Sequence, residues 1–245
     1  MTSAAGPAGR TGNPPLRRDA ERNRSRILTA ARTVFGREGI SAPMASVARE
    51  AGVGIATLFR HFPAKQDLVA AVFADRMDVY AEAATAALAD PDPWHGLTGY
   101  IEAVCAMQAS DYGFANVLTM TFPAARGLEK RRDEAYHAVV QLIDRAKSAG
   151  RLRADFAPED LVLLLMANAG VITATRAHAP GAWRRVVALM IQAYEAPAPG
   201  PLPEPPRPQA LYRAMLKASQ ACDASQDPGE PFRPAGTGRW QPAGG

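Results

Sequence analysis

The stretch MASVAREAGVGIATLFRHFPAKQDL, from Met44 to Leu68, decides how the N-terminal part of this chain folds. It reads as two short helices around a tight turn, followed by a helix that begins just after Pro63. Gly52 lies where the turn needs a positive φ, and Ala48 is small enough to let two helices cross closely. Leu58 is expected to point back into a small core. The stretch therefore predicts a helix-turn-helix.

The second helix of this motif is expected to present its N-terminal end to solvent, where a recognition helix reads base edges. The residues expected at that end are Gly54, Ile55, Ala56 and Thr57. Lys65 begins the next helix, where free backbone amides and a lysine can hold a phosphate. An ordinary helical hairpin with a glycine turn is the alternative, but it requires far fewer of these residues.

Residues from about 24 to 68 resemble the DNA-binding domain of the TetR family of transcriptional regulators. The resemblance rests on the A-x-x-x-G-V turn and on the T-L-F-R-H-F-P-x-K segment. It implies a homodimer that binds a double-stranded DNA operator. The DNA-contacting residues predicted from the motif and the basic segment before it are Arg17, Arg18, Ser46, Gly54, Ile55, Ala56, Thr57, Phe59, Arg60, His61 and Lys65.

Two positions depart from the family pattern. Phe59 replaces a tyrosine that binds phosphate, so its ring can pack against a sugar but has no hydroxyl to donate. Pro43 and Met44 replace the usual Thr or Ser near the start of the first motif helix. That phosphate contact would then come from backbone amides or from Ser41 or Ser46.

The charge is unevenly distributed along the chain. Residues 1–65 hold 11 Lys and Arg against 4 Asp and Glu, a net charge of +7, which leaves 17 against 20, or −3, for the rest. A basic head attracts the phosphate backbone of DNA, whereas a slightly acidic body does not. Arg10, Arg17 and Arg18 lie in a Gly- and Pro-rich arm that can enter the minor groove or remain a solvated tail.

The domain boundaries follow from hydrophobic periodicity and composition. We expect a disordered basic arm at 1–20, a helix-turn-helix domain at 21–66, a helical regulatory and dimerisation domain at 67–195, and a largely disordered Pro-rich tail at 196–245. The first helix carries one apolar stripe and ends at Gly39. The fold class is all-α, with about nine helices.

The last two helices of the body, at about 160–175 and 182–195, predict a homodimer interface. The first of them contains LVLLLMANAGVITAT, which is apolar nearly all round and needs cover on every face. Small residues such as Ala167 and Gly170 let partner helices approach closely. The run is shorter than the roughly 20 residues that span a membrane and contains Asn168, so no membrane insertion is expected.

The tail from residue 196 contains 11 of the 21 prolines. Its PAPGPLPEPPRP stretch reads as extended polyproline. Only the segment from Ala210 to Cys222 has helical character. It can pack on the body or remain a frayed helix in a disordered tail.

The sequence offers no sign of catalysis. Cys105 and Cys222 form no CxxC pair, and the four histidines lie on separate segments without zinc-ligand spacing. We therefore expect neither a metal nor a cofactor, and a cytoplasmic protein with reduced thiols. An enzyme built on the helical body remains an alternative, and it would need a converging acid, base or nucleophile set.

The family resemblance implies a small-molecule effector pocket inside the helical body. Candidates for its wall are Trp94, Met107, Tyr112, Phe114, Met120, Phe122, Tyr136, His137 and Asn168. Their aromatic and Met-rich character favours an apolar or aromatic effector. The predicted function is a ligand-responsive repressor that the effector releases from a palindromic operator. The alternative is a ligand-binding or interaction protein that keeps the motif with weak or no specific DNA binding.

Overall fold

The computed structural model describes residues 14–224, and side chains from 18 to 222. Within that range the chain forms ten helices and no strand. Three helices build the head: α1 (Pro14–Glu38), α2 (Met44–Ala51) and α3 (Ile55–His61). The other helices are α4 (Lys65–Leu88), α5 (Pro93–Ser110), α6 (Tyr112–Thr119), α7 (Arg126–Ser148), α8 (Pro158–Thr175), α9 (Ala182–Tyr194) and α10 (Pro208–Ala224).

The head folds as its apolar pattern predicts. Leu58 of α3 is fully buried in a core shared with the apolar stripe of α1. Gly52 ends α2 with φ of 61°, the left-handed conformation that the turn requires and that glycine adopts without strain. Arg26 of α1 donates from Nη2 to the carbonyl of Ala51 at 2.7 Å, which holds this turn against the first helix.

Two packing contacts of different kinds join the body to the head. The long helix α4 begins in the head and continues into the body, where it packs along α7. The short helix α6 packs against the end of α1, and it does so at Gly113. A Cβ atom at this glycine would lie 2.7 Å from Cζ of Phe73 and 3.0 Å from the carbonyl oxygen of Phe35. Only glycine lets the three helices meet this closely.

One expectation about the N-terminal end of the chain is wrong. The first helix begins at Pro14, so residues 14–20 are helical rather than part of a disordered arm. Pro14 supplies a helical φ in the first turn, and the Leu, Arg, Ala and Glu residues that follow favour a helix. Arg10 lies outside the described residues.

At the other end of the described chain, residues 208–224 form α10, so the segment from Ala210 to Cys222 takes the packed alternative and not the frayed one. This helix is the reason for ten helices rather than about nine. Leu211, Met215 and Ser219 are buried against the body at spacings of four residues, so one face of α10 is stabilised by packing. No described helix has the length and apolar character to cross a membrane.

Candidate nucleic-acid interface and ligand cavity

The outer face of α3 is apolar and open to solvent. Ile55 and Phe59 are 44% and 40% exposed, and they lie one turn apart on the same face of the helix. Gly54 and Ala56 are also exposed beside them. Leu58, on the opposite face, anchors the helix in the core. The arrangement presents a short, mostly nonpolar ridge whose shape fits thymine methyl groups and sugar edges better than polar base atoms.

The polar candidates on α3 and α2 lie at the margins of that ridge. Arg60 is exposed, whereas Thr57 and His61 are half-buried. Ser46 is half-buried in the first turn of α2. The N-terminus of α2 follows Pro43 and has no side-chain cap. These groups are available for phosphate or sugar contacts around an apolar centre.

The described arginine side chains of α1 are all exposed, and two of them also contact other parts of the head. Arg18 and Arg22 are exposed. Arg24 lies over the Phe62 ring, with its guanidinium carbon 5.4 Å from the ring centroid, and Arg26 holds the α2–α3 turn. The backbone of Arg17 belongs to α1, while its side chain lies outside the described part. Two of the basic residues therefore stabilise the head itself.

The expectation that Lys65 offers its ammonium group to a phosphate disagrees with the structure. Lys65 is only 5% exposed, and its Nζ donates to the carbonyl oxygen of Cys222 at 3.1 Å. The physical reason is α10, whose last turn lies against the first turn of α4. Lys65 lies at the start of α4 as expected, but its ammonium group is bound to α10.

The body contains a cavity of about 300 Å³ between five helices. Its volume is at the lower end of the range for small-molecule sites. Prominent wall residues are Tyr80 of α4, Leu118 of α6, Arg132 and Tyr136 of α7, Leu161 and Leu165 of α8, and Leu211 and Met215 of α10. Most of the exposed wall is apolar, and its charged groups are Arg132, Glu129, Asp133 and Glu159, of which Arg132 and Glu129 form an ion pair at 3.3 Å.

The most informative polar group in the cavity wall is the hydroxyl of Thr121. The residue is 2% exposed, and its Oγ1 has no hydrogen-bond partner among the described residues. An unpaired buried hydroxyl costs about 1–3 kcal/mol of stability. A ligand with one polar group can supply the missing partner once a small shift of the wall opens this buried oxygen atom. This wall therefore suits a small, largely apolar molecule that has a hydrogen-bonding atom.

Arg132 connects the cavity to α6. Its Nη2 donates to the carbonyls of Val117 and Met120, both at 2.8 Å, and so binds the C-terminal end of that helix. At the other end of the junction, Asn116 of α6 accepts from the backbone amide of Ile40 at 3.2 Å. A displacement at Arg132 can therefore be transmitted through α6 to the loop between α1 and α2.

Of the nine side chains predicted to line the pocket, the structure brings only Tyr136 to the cavity. Phe114 and Phe122 are buried in the core, Trp94, Met107 and Met120 are partly buried against it, and His137 is exposed. Tyr112 lies at the junction under Arg176, whose guanidinium carbon is 4.5 Å from the ring centroid. The other eight residues lie outside this cavity, because an aromatic or Met residue on an apolar face fills core as readily as it lines a pocket.

Asn168 also lies outside the cavity wall, in a buried polar pair. Its Nδ2 donates to Oε1 of Gln108 at 2.8 Å, and Gln108 donates to the carbonyl of Leu165 at 3.1 Å. Because Leu165 lines the cavity, this pair supports the wall from behind. Close to it, burial raises the pKa of the Cys105 thiol to about 12, so this cysteine stays protonated and is a poor nucleophile.

Sequence reasoning missed Tyr80, Leu118, Thr121 and Arg132. An arginine in the first part of an amphipathic helix, as in KRRDEAYH, is ordinarily solvated. A threonine after a short apolar segment gives no stronger signal. The cavity is assembled from positions that only the tertiary fold brings together.

Comparisons with known families divide the chain into the same two parts. Residues 27–72 match the model for bacterial regulatory proteins of the TetR family. Residues 92–193 match the model for the C-terminal domain of SbtR-like transcriptional regulators. An HTH-type transcriptional regulator of Staphylococcus aureus (strain USA300) is 39% identical over 66 residues, 26% of this chain and 36% of that protein. The chain thus spans about a third of the length of such curated relatives.

Solved structures match over more of the chain. A TetR transcription regulatory protein from Mycobacterium vanbaalenii is 32% identical, over 74% of this chain and 100% of that chain, with a TM-score of 0.42. The regulator FadR from Bacillus subtilis, solved with stearoyl-CoA, is 15% identical over 68% and 96%, with a TM-score of 0.51. A TetR-family protein from Rhodococcus RHA1 is 18% identical over 69% and 93%, with a TM-score of 0.52.

Proposed function

This chain belongs to the TetR family of transcriptional regulators, and we propose that it is a repressor that binds a palindromic operator as a homodimer and is released by a small effector. The observation that carries the proposal is the exposed apolar face of α3 on a head anchored by Leu58. A repressor of this kind acts on chromosomal DNA, so we propose a cytoplasmic location.

Base recognition is proposed to centre on Ile55, Ala56 and Phe59. Apolar groups of this size contact thymine methyl groups in the major groove. Thr57 at the margin and the exposed Arg60 add contacts to the backbone or to base edges. Arg18 and Arg22, along the first helix, add charge near the phosphates. The operator is therefore expected to be A·T-rich at the centre of each half-site.

Dimerisation is proposed to use the outer faces of α8 and α9. Leu163 of α8 and Leu189 of α9 are 41% and 53% exposed. Ala167 and Gly170 continue the exposed face of α8, and a Cβ at Gly170 would meet nothing within 4 Å. Large apolar side chains beside small ones are typical of close helix packing between subunits. Two heads related by a two-fold axis then meet half-sites about 34–36 Å apart.

A pair of matched substitutions tests the dimer. Leu189→Glu places a charge on the proposed interface, and Val79→Glu places one on α4 at a residue of similar exposure, 47%. We expect monomers in sedimentation for the first variant only, with operator affinity reduced by about tenfold or more. Monomers for both variants, or for neither, would contradict this interface.

The effector is proposed to be a small, mostly apolar molecule with one hydrogen-bonding group. This class follows from the apolar walls, the volume of about 300 Å³ and the unpaired hydroxyl of Thr121. Binding beside Arg132 shifts α6, and the Asn116–Ile40 contact moves the head relative to α4. To reverse occupancy from 1:99 to 99:1, the effector must prefer the released state by about 5.5 kcal/mol.

Selection of bound duplexes from a random pool tests the proposed function most directly. The expected result is an inverted repeat with half-sites on successive major-groove turns. Moving those half-sites apart by several base pairs should abolish high-affinity binding. Affinity that does not depend on the spacing would contradict release by head separation.

A ligand-binding or interaction protein without specific DNA binding is the second candidate, and the burial of Lys65 favours it. Binding to random DNA at several salt concentrations separates the two functions. Real phosphate contacts give a steep loss of affinity with salt. A chain that selects no sequence and shows a flat salt dependence would support the second candidate.

A further inference from the structure

The C-terminal helix α10 is held to the body at its start. The segment before it is fixed to the loop between α7 and α8, because Arg153 donates to the carbonyl of Gly200 at 2.7 Å and the amide of Leu202 donates to Asp155 at 2.8 Å. Arg153 and Asp155 also pair with each other at 2.6 Å. This fixed segment delivers the chain to Pro208, where α10 begins beside the cavity.

The first half of α10 forms one wall of the cavity. Leu211 and Met215 are buried and line it opposite residues of α7 and α8. The cavity therefore lies between α10 and the rest of the body. A molecule that fills it contacts both sides and stabilises the docked position of α10.

The last turn of α10 lies against the start of α4. The carbonyls of the last four residues of a helix have no partner within the helix, and a cation is favoured at that end. Cys222 supplies one of these carbonyls to Nζ of Lys65 at 3.1 Å. Cys222 also touches Met120 in the loop after α6, with 3.9 Å between the two sulfur atoms.

We propose that α10 is a latch that withholds Lys65 from the DNA backbone, and that a ligand in the cavity holds this latch closed. The inference rests on the proposed DNA binding and specifies its regulation. One ammonium group that is buried against α10 does not at the same time reach a phosphate. By reciprocal linkage, DNA that recruits Lys65 favours the open latch, and a ligand under α10 favours the closed one.

The latch is tested first without DNA, by acetylating lysines with acetic anhydride and measuring Lys65 by mass spectrometry. Ser219 is 1% exposed under α10, so Ser219→Trp should displace the helix, while Gln220→Trp on its exposed face is the matched control. We expect Lys65 to react about tenfold faster in the first variant only. Lys130, whose side chain is 70% exposed, serves as the internal reference. Equal acetylation rates of Lys65 in the unaltered protein, Ser219→Trp and Gln220→Trp would overturn the latch.

DNA binding provides the second measurement, on duplexes from the random-pool selection. The Ser219→Trp variant should bind DNA more tightly than the unaltered protein. Its slope of log affinity against log salt concentration should be steeper by about 0.9 for each Lys65 that contacts a phosphate. Adding Lys65→Ala should remove this gain, whereas Lys65→Ala alone should change little. A full effect of Lys65→Ala in the unaltered background would overturn the latch while leaving the proposed function intact.

Deletion of residues 208–245, compared with deletion of 225–245, gives the same comparison without a substituted core residue. We expect faster labelling of Lys65 and tighter DNA binding only when α10 is removed. If the labelling changes as expected and no variant binds DNA at any salt, the proposed function and the latch as its regulator both fail. If all variants bind DNA alike, only the latch fails.

Discussion

The head and the body of this protein are packed in different ways. The difference matches the proposed function, in which the body responds to the effector and repositions the head. The core of the head buries Leu58 and Phe35 fully, and Arg26 fixes the α2–α3 turn. The head also has a cleft of about 450 Å³ between α1 and α2, but it is an open groove on the surface and not a gap in the core. The body leaves a cavity of about 300 Å³ and a buried hydroxyl without a partner. A filled domain moves as a unit, whereas a domain with an unfilled site has alternative packings that a ligand can favour.

The largest expected effect tests how tightly the core of the head is packed. Leu58→Ala should lower the free energy of unfolding by about 2–5 kcal/mol, because it leaves a cavity in a filled core. Leu202→Ala is the matched control, since Leu202 is 44% exposed, and it should change stability by less than about 0.5 kcal/mol. Urea denaturation measures both. A head that tolerates Leu58→Ala would not be a rigid unit.

The next effect concerns the junction between the two regions. Gly113→Ala should destabilise the protein by about 1–3 kcal/mol, because its new methyl group meets Phe73 and the Phe35 carbonyl. Gly99→Ala in α5 meets nothing within 4 Å and should stabilise by about 0.5–1 kcal/mol. Thermal unfolding compares the two variants. A neutral Gly113→Ala would mean that the contact between α1 and α6 is loose.

A smaller effect sharpens the description of the cavity. Thr121→Val removes an unpaired hydroxyl, so it should raise the free energy of unfolding by about 1 kcal/mol and weaken effector binding. Thr98→Val removes a hydroxyl that donates to the carbonyl of Trp94 at 3.0 Å, and we expect a loss of about 1 kcal/mol. Opposite changes in the free energy of unfolding for the two Thr→Val variants distinguish an unpaired hydroxyl at the cavity from one that makes a structural hydrogen bond. A loss at Thr121 would show that its hydroxyl is already paired.

The smallest effect is a pH dependence at the surface of the body. The hydrogen bond and charge of Asp90 raise the pKa of His95 above its usual 6.5. A raised pKa in the folded state means that this stabilisation is complete below pH 6.5 and is lost as the pH rises through the folded value. We expect a slight fall in melting temperature over that interval, absent in His95→Gln. A rise in melting temperature over that interval would mean that folding lowers the pKa of His95 and would contradict this prediction.

Local sequence accounts for most of the head and for the helix order of the body. Gly52 has the expected positive φ, and Leu58 is buried as predicted, because both depend on neighbours within a few residues. The cavity and α10 are different, since they depend on contacts between distant segments. Lys65 and Cys222 are 157 residues apart in sequence. No local pattern reveals that one holds the other.

The lining of the cavity could not be predicted from the sequence for the same reason. Residue type predicts that Phe114 and Tyr136 are apolar contacts of some kind, but it does not separate core from cavity. Phe114 is fully buried and Tyr136 is 46% exposed at the cavity. The difference depends on how helices that are distant in sequence pack together, which is a property of the whole body.

The exposed Ile55 and Phe59 of α3 also have a thermal consequence. When DNA covers these side chains, apolar surface leaves water, and the heat capacity of the complex falls below that of its separated components. The enthalpy of operator binding should then become more exothermic as temperature rises. A polar reading face would show less of this effect. The change of the binding enthalpy with temperature, measured by calorimetry, therefore reports how much apolar surface the operator covers.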